Sequence, residues 1–290
     1  MKEGSVAACL VTFNRLGLLR SVLPAVLNQS RKPDKVFVIN NSSTDGTAEW
    51  LKEQEGITVI TQDNTGSSGG QYTGIKTAFE QGFEWIWVMD DDVVPHPDAL
   101  VKLLEIADEN TVVSPLRLTS KNHPYLNDTI EFNMTNPFKS FWKQIVSTDL
   151  LQKKALKATG ITFEGPLFNR KLVEKIGLPR FDFFIYGDDS EYFLRAERKG
   201  FSIVINTEAL FSRLIDPPEG FKFDWKSYYQ ARNQIIIDRL YGNFAVRIVR
   251  PVLYIFKWLA KCRNLGQIKT MLSAFRDGYF YREQIPEKYK

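Results

Sequence analysis

The stretch Phe83-Glu84-Trp85-Ile86-Trp87-Val88-Met89-Asp90-Asp91-Asp92 decides the fold. Its apolar run is short and rich in bulky residues, the pattern of a buried strand. The three carboxylates therefore stand at the strand's C-terminal end, where open α/β sheets bind their ligands. Three adjacent carboxylates repel one another unless a cation neutralises them. Mg²⁺ or Mn²⁺ carrying a nucleotide diphosphate fits, because these ions take oxygen ligands and bridge carboxylate to phosphate. An isolated acidic triplet reads more simply as a solvated turn. The strand before it and the motifs around it favour the ligand site.

Toward the N-terminus, strand and helix signals alternate. Val6 to Thr12 is an apolar strand, and Leu16, Leu19, Val22, Leu23, Val26 and Leu27 recur at helical spacing. Val36-Phe37-Val38-Ile39 is a second strand. It runs into the turn cluster Asn40-Asn41-Ser42-Ser43-Thr44-Asp45-Gly46, whose polar side chains suit capping of the next helix. Ile57-Thr58-Val59-Ile60 is a third strand, and Gly66-Ser67-Ser68-Gly69-Gly70 opens a helix to about Glu80. Beyond the aspartates, Pro97 suits the first turn of a helix through Ala107. This βαβα alternation predicts an α/β fold with a mainly parallel sheet flanked by helices.

Residues 115 to 160 are less periodic and hold Tyr125, Phe132, Phe138, Phe141 and Trp142, consistent with an active-site loop or a small antiparallel addition. Order resumes with Ile161-Thr162-Phe163, helices over Arg170 to Ile176 and Asp188 to Lys199, and a strand from Phe201 to Ile205. From about Phe221 the chain turns helical, dividing it into a catalytic-type unit over 1–220 and a helical extension over 221–290. Phe244 to Arg263 mixes aromatics with Arg247, Arg250, Lys257, Lys261 and Arg263, and Pro251 is placed to kink or restart that helix. A basic, aromatic amphipathic helix suits the surface of an anionic membrane. It suits equally well packing on the main unit, with its cationic tips in water.

The 290 residues, 43% of them hydrophobic, can bury a large core, and a net charge of +4 does not point to nucleic acid. Cys9 and Cys262 are far apart in sequence, which favours free thiols and a reducing, cytoplasmic setting over a disulfide. Met1-Lys2-Glu3-Gly4 runs straight into a strand pattern without a signal-peptide core. No window approaches the roughly 20 apolar residues of a spanning helix.

Five blocks in order carry a resemblance: Val11-Thr12-Phe13-Asn14-Arg15; Ile39-Asn40-Asn41-Ser42-Ser43-Thr44-Asp45-Gly46; Asn64-Thr65-Gly66-Ser67-Ser68-Gly69-Gly70; Trp87-Val88-Met89-Asp90-Asp91-Asp92; and Gly187-Asp188-Asp189-Ser190-Glu191-Tyr192. Together they resemble the inverting family 2 glycosyltransferases of the GT-A (Rossmann-like) fold, and within them the galactofuranosyl- and rhamnosyltransferase-like branch. The resemblance implies that Asp90 and Asp92 hold Mn²⁺ or Mg²⁺ and that Asp91 approaches the donor ribose or sugar. Thr12, Arg15, Asn40, Asn41 and Asn64 fall at positions of the nucleotide pocket. Asp189 matches the general base that takes the acceptor hydroxyl proton, with Asp188 and Glu191 orienting it or binding acceptor hydroxyls. Acidic residues in a first helical turn also favour the helix dipole, so capping and catalysis coexist there.

Two departures stand out. Relatives place a further metal-ligating histidine where this chain reads Ala209-Leu210-Phe211-Ser212-Arg213, and only His96 and His123 occur at all. Arg213 is then a candidate for charge on the diphosphate. Asn40 stands where relatives usually carry aspartate. The implied donor is UDP-galactofuranose, with dTDP-rhamnose second. The implied acceptor is a growing, lipid-linked saccharide in cell-surface polysaccharide assembly, with peripheral membrane contact. Two other classes share parts of the pattern. A nucleotidyltransferase also uses strand-end aspartates, but Val6 to Arg15 lacks its glycine-rich phosphate loop. A non-catalytic sugar-nucleotide-binding protein would account for the missing histidine but not for Asp189.

Overall fold

Period-two alternation splits the first strand between two cores. Ala7, Cys9 and Val11 pack on one side, and Val6, Ala8 and Leu10 on the other, all buried. A strand apolar on both sides belongs at the centre of a sheet covered on both faces. The computed structural model describes residues 4–216 and 220–290, so Met1-Lys2-Glu3 lies outside the described residues.

The elements run β1 (Val6–Thr12), α1 (Leu16–Leu27), β2 (Lys35–Asn40), α2 (Thr47–Lys52), β3 (Ile57–Thr61), α3 (Gly66–Glu80), β4 (Trp85–Asp90), β5 (Val93–Pro95) and α4 (Ala99–Ile106). They continue through β6 (Thr111–Leu118), β7 (Thr129–Phe132), β8 (Trp142–Gln144), β9 (Ala155–Lys157), β10 (Leu167–Asn169), α5 (Lys171–Ile176), α6 (Asp188–Arg198) and β11 (Ser202–Arg213). The last helices are α7 (Lys226–Tyr241), α8 (Phe244–Leu259) and α9 (Leu265–Tyr279).

The main sheet has the order β3-β2-β1-β4-β10-β6-β11-β5, with β9 also paired to β11. The half built from the βαβα pattern is parallel throughout. Beyond β4 the sheet is mixed: β10 is antiparallel to both β4 and β6, while β6 and β11 are parallel. Helices α1 and α4 cover one face, and α3, α5 and α6 the other. Trp85 and Trp87 are buried, and truncating such a side chain to alanine costs about 3–5 kcal/mol.

Several local expectations change. Pro97 precedes α4 rather than entering it, because Val93–Pro95 forms a short strand against β11. Residues 115–118 belong to β6, β7 with β8 makes a small antiparallel hairpin, and β9 adds an antiparallel strand to β11. Order does resume at Ile161 and Phe163 in the sense that both are buried, though the segment is neither helix nor strand. Pro251 does not restart a helix; α8 runs through it without a break.

The C-terminal helices join the sheet unit through paired polar groups. Arg250 of α8 donates to Asp238 of α7 at 3.0 Å and to the Asn136 carbonyl at 2.8 Å, tying both helices to the β7–β8 hairpin. Tyr281 Oη donates to Asp182 at 2.9 Å, and the Tyr289 ring packs on Phe181.

Candidate active site

Parallel register gathers the strand ends. Thr12 stands opposite Asn40, and Val11 opposite Asp90, so three polar strand ends share one edge of the sheet. Thr12 Oγ1 donates to Asp91 at 2.7 Å, and Arg15 Nη1 donates to Asp91 at 3.0 Å and to Asp92 at 2.8 Å. Burial pushes Asp91 up to about 6 against the pull of Arg15 and Thr12. Asn41 donates to the Gly66 carbonyl at 2.9 Å, and Asn64 Oδ1 accepts the Gly66 amide at 3.0 Å. Thr12, Asn41, Asn64 and Asp91 are thus engaged with the protein's own frame. Asn40 differs: its Oδ1 accepts the Ser43 amide, while its buried Nδ2 donor has no partner.

The metal expectation is tested by what the carboxylates lack. Asp90 accepts from Gln71 Nε2 at 3.0 Å. Burial, then the charges of Asp92, Glu164 and Asp91, hold its carboxyl well above the ordinary range. Asp92 Oδ1 is buried without a partner. A cation would satisfy both groups, so Asp90 and Asp92 fit the divalent ion. Among the described residues no three His, Cys, Asp or Glu side chains converge on one point. Two carboxylates with phosphate and water oxygens is an ordinary Mg²⁺ arrangement.

Arg213 is not free toward a diphosphate, contrary to expectation. It lies beside Val93, and Leu214 N donates to the Asp92 carbonyl, but its guanidinium donates to Glu164 at 2.5 Å. Arg117 donates to the same Glu164 oxygen at 2.7 Å and to Asp128 at 2.5 Å. Tyr125 lies within 4.8 Å of one guanidinium and 5.0 Å of the other. Burial would raise Glu164, but the two guanidiniums win and lower it. The sequence offered little sign of this cluster, since Asp128 and Tyr125 sit in the least periodic region. His96 has a structural role, its Nε2 lying 2.9 Å from Ser212 Oγ.

The second acidic pair is held by an unusual turn. Phe184, Tyr186 and Gly187 all have positive φ, at 64°, 65° and 81°. Asn233 of α7 pins this backbone by donating to the carbonyls of Phe183, Ile185 and Tyr186 at 2.9, 3.0 and 2.7 Å. The turn delivers Asp188 and Asp189 to the first turn of α6. Burial, then the charge of Asp189, pushes Asp188 up to about 8. Burial raises Asp189 only to about 6, because the Ser190 amide and Arg117 favour its ionised form. Two carboxyls pushed apart in this way leave one protonated and one ionised near neutrality, the pattern of an acid–base site. The charge of Glu164 raises both Asp90 and Asp189.

Glu191 falls outside this arrangement. It is fully buried, paired with Arg180 at 3.1 Å and Arg195 at 3.0 Å, and accepts from Tyr241 Oη. Its surroundings are those of a buttress between α6 and α7, not of an acceptor contact. A cleft of about 330 Å³ opens beside Asp189, bounded by Trp142 of β8 and by α7 and α8.

Residues 7–177 match the family described as Glycosyl transferase family 2. The galactofuranosyltransferase GlfT1 of Mycolicibacterium smegmatis is 29% identical over 205 residues, covering 67% of this chain and 66% of that protein. Galactofuranosyltransferase GlfT1 of Mycobacterium tuberculosis is 27% identical over 205 residues, covering 68% and 66%. Galactofuranosyltransferase GlfT2 of Mycolicibacterium smegmatis is 25% identical over 279 residues, covering 83% of this chain and 42% of its own. The match thus spans just under two thirds of the GlfT1 proteins. Among solved structures, GalNAc-T7 with UDP, GalNAc and Mn²⁺ superposes with a TM-score of 0.61 at 13% identity, covering 96% of this chain and 58% of that one. This likeness concerns the fold.

Proposed function

The chain belongs to glycosyl transferase family 2, and on that premise we propose that it moves galactofuranose from UDP-galactofuranose to a saccharide acceptor in cell-surface polysaccharide assembly, with inversion at the anomeric carbon. The names of its GlfT1 and GlfT2 relatives support the sugar. The observation that carries the reaction type is the Asp188–Asp189 pair beside a cleft, with one carboxyl raised to about 8 and the other to about 6. In this reading Asp189 accepts the acceptor hydroxyl proton as that oxygen attacks the anomeric carbon. Asp188, protonated, keeps a second negative charge away from the base. Asn40 Nδ2 is the donor left for the nucleotide. Asp90 and Asp92 would hold Mn²⁺ or Mg²⁺, which when bound neutralises charge gathering on the departing diphosphate.

The lipid-linked nature of the acceptor and peripheral membrane contact belong to the same reading. No helix of the described residues is long and apolar enough to cross a membrane. The exposed apolar residues of α8, among them Phe244, Ile248 and Phe256, support contact at a surface.

Turnover of a panel of nucleotide sugars with Mn²⁺, Mg²⁺ or EDTA is the test. Selective, EDTA-sensitive use of UDP-galactofuranose is the expected result. Preference for dTDP-rhamnose would keep the chemistry and change the sugar. No turnover and no UDP binding would overturn the reading.

A further inference from the structure

The turn that carries the acidic pair is strained at a residue other than glycine. Phe184 has φ of 64° and ψ of −59°, and the Ile185 amide donates across it to the Phe183 carbonyl at 2.8 Å. This is the rare, strained form of the γ-turn. Stability alone gives no reason to hold a side chain there, since glycine at 184 would adopt the same backbone without strain. Such backbone persists only where its surroundings over-determine it. Three separate parts of the chain do so here. From α3, the Ser68 amide donates to the Phe184 carbonyl at 3.2 Å, and Ser68 Oγ donates to the Arg180 carbonyl at 2.5 Å. From α7, Asn233 Nδ2 donates to the carbonyls of Phe183, Ile185 and Tyr186, and Tyr229 stacks on the Phe184 ring at 5.0 Å. Arg232 donates to Asn233 Oδ1 and to the Asp182 carbonyl, both at 3.0 Å, so the amide of Asn233 faces the turn with its nitrogen. Asn233 borders the cleft, but both ends of its amide are thus taken by the protein. From the segment after α9, Tyr281 Oη and the Gln284 amide donate to the two carboxylate oxygens of Asp182 at 2.9 and 3.0 Å, and Glu283 pairs with Arg180 at 3.1 Å. Lys76 of α3 holds the far end of that segment, donating to the Tyr289 carbonyl at 3.1 Å.

We propose that Asn233 and Asp182 are positioning residues for the base: Asn233 from α7, and Asp182 held by Tyr281, fix the γ-turn at Phe184 and through it the place of Asp189 relative to the acceptor hydroxyl. They act through Asp189 and not on the substrate. This inference rests on the glycosyltransferase reading. It adds that the base is aimed by α7 and by the segment after α9, both beyond residue 177, where the family match ends.

The test is steady-state turnover of UDP-galactofuranose, or of dTDP-rhamnose where the parent prefers it, with UDP binding read by calorimetry in Mn²⁺. The full chain is used, well below each variant's melting midpoint. Asn233→Ala and Asp182→Ala should lower kcat about tenfold or more and leave the Kd for UDP within about twofold, because a displaced base leaves the donor edge intact. Asp182→Asn keeps an acceptor oxygen and should recover most of the loss. Tyr281→Phe keeps the ring against Phe183 and removes one hydroxyl, so it preserves the fold and should lower kcat about threefold. Combined with Asp182→Ala it should cost nothing further, since both remove the same bond. Parental kcat in either alanine variant would remove that residue from the role. A fall of UDP affinity in step with kcat, Asp182→Asn as slow as Asp182→Ala, or additive losses in the double variant would reduce these contacts to general fold stability and overturn the inference. A parent that binds UDP but turns over no nucleotide sugar has no base to aim and would overturn it too. A parent that does neither would overturn the glycosyltransferase reading with it.

Discussion

At the scale of single residues, the decisive fact is that burial raises both Asp188 and Asp189, while the Ser190 amide and Arg117 hold Asp189 back. A base must be ionised to work, and Asp189 is raised to about 6. kcat/KM should therefore climb about tenfold per pH unit below 6 and level off above it, and Asp189→Asn should lower kcat by about 10²–10⁴-fold. A flat acid limb, or an Asn variant as fast as the parent, would remove Asp189 from the role. Asp188 makes a stability prediction of its own. Its value in the fold, about 8, lies far above that of an unfolded aspartate. The fold favours the neutral form, so this contribution is intact in acid and is lost as pH rises toward 8. Asp188→Asn, which cannot ionise, should raise the melting temperature, and its advantage over the parent should widen from pH 5 to pH 8. An advantage that shrank over that range would contradict the sign. The orphaned Asn40 Nδ2 gives a third: Asn40→Ala should weaken UDP binding by about 3–10-fold, the value of one hydrogen bond, as read by calorimetry.

At the scale of elements, the start of α3 and the turn before α6 are one construction. A Cβ on Gly66 would meet the Phe184 carbonyl oxygen at 1.9 Å, and Gly66 has φ of +74°. The glycines read from sequence as permitting close approach are here used by backbone against backbone. Gly66→Ala should therefore displace the turn that carries Asp188 and Asp189, lowering kcat and melting temperature together. A variant with parent kcat would show that the turn tolerates movement. In the first 106 residues β1, β2 and β4 were legible as apolar runs and α1 as a helical spacing, because their apolar side chains are buried, whereas β5, three residues long, was not. The gathering of polar strand ends at one edge was legible because parallel register places strand ends side by side. The mixed half was not, because β9 and β10 are three residues each and too short to carry a period. Arg213 was legible as a charge near the aspartates but not as the partner of Glu164. That pairing depends on contacts across 49 residues of chain, which no local pattern encodes. Glu191 shows the opposite: an acidic residue two positions after Asp189 looks catalytic in sequence, and only the packing of Arg180, Arg195 and Tyr241 around it reveals a buried buttress.

At the scale of the whole molecule, α8 presents two faces with different work. Its inner face carries Tyr254 and Trp258 to the cleft. Its outer face exposes Phe244 (80%), Ile248 (41%), Val252 (40%) and Phe256 (65%), spaced four apart along one stripe. Lys257, next to Phe256, and Arg263, beyond the end of α8, are also exposed. A solvated helix gains nothing from such a stripe, whereas an anionic bilayer takes up both features: the rings enter the interface and the cations meet the headgroups. Each cation near such a surface contributes about 1 kcal/mol. Replacing two of them, with Lys257→Gln and Arg263→Gln, should lower partitioning onto phosphatidylserine-containing vesicles about 30-fold. The loss should shrink at high salt, since screening already weakens the parent's attraction. Phe256→Ser should reduce binding to anionic and zwitterionic vesicles alike, because it removes the apolar part. Sedimentation with the two vesicle types separates these contributions. Equal binding to both by the parent would remove the electrostatic part. No binding to either, with a dimer by analytical ultracentrifugation, would reassign the stripe to a second copy of the chain. Membrane seating on this face would set the cleft close to the bilayer, because the same helix borders both.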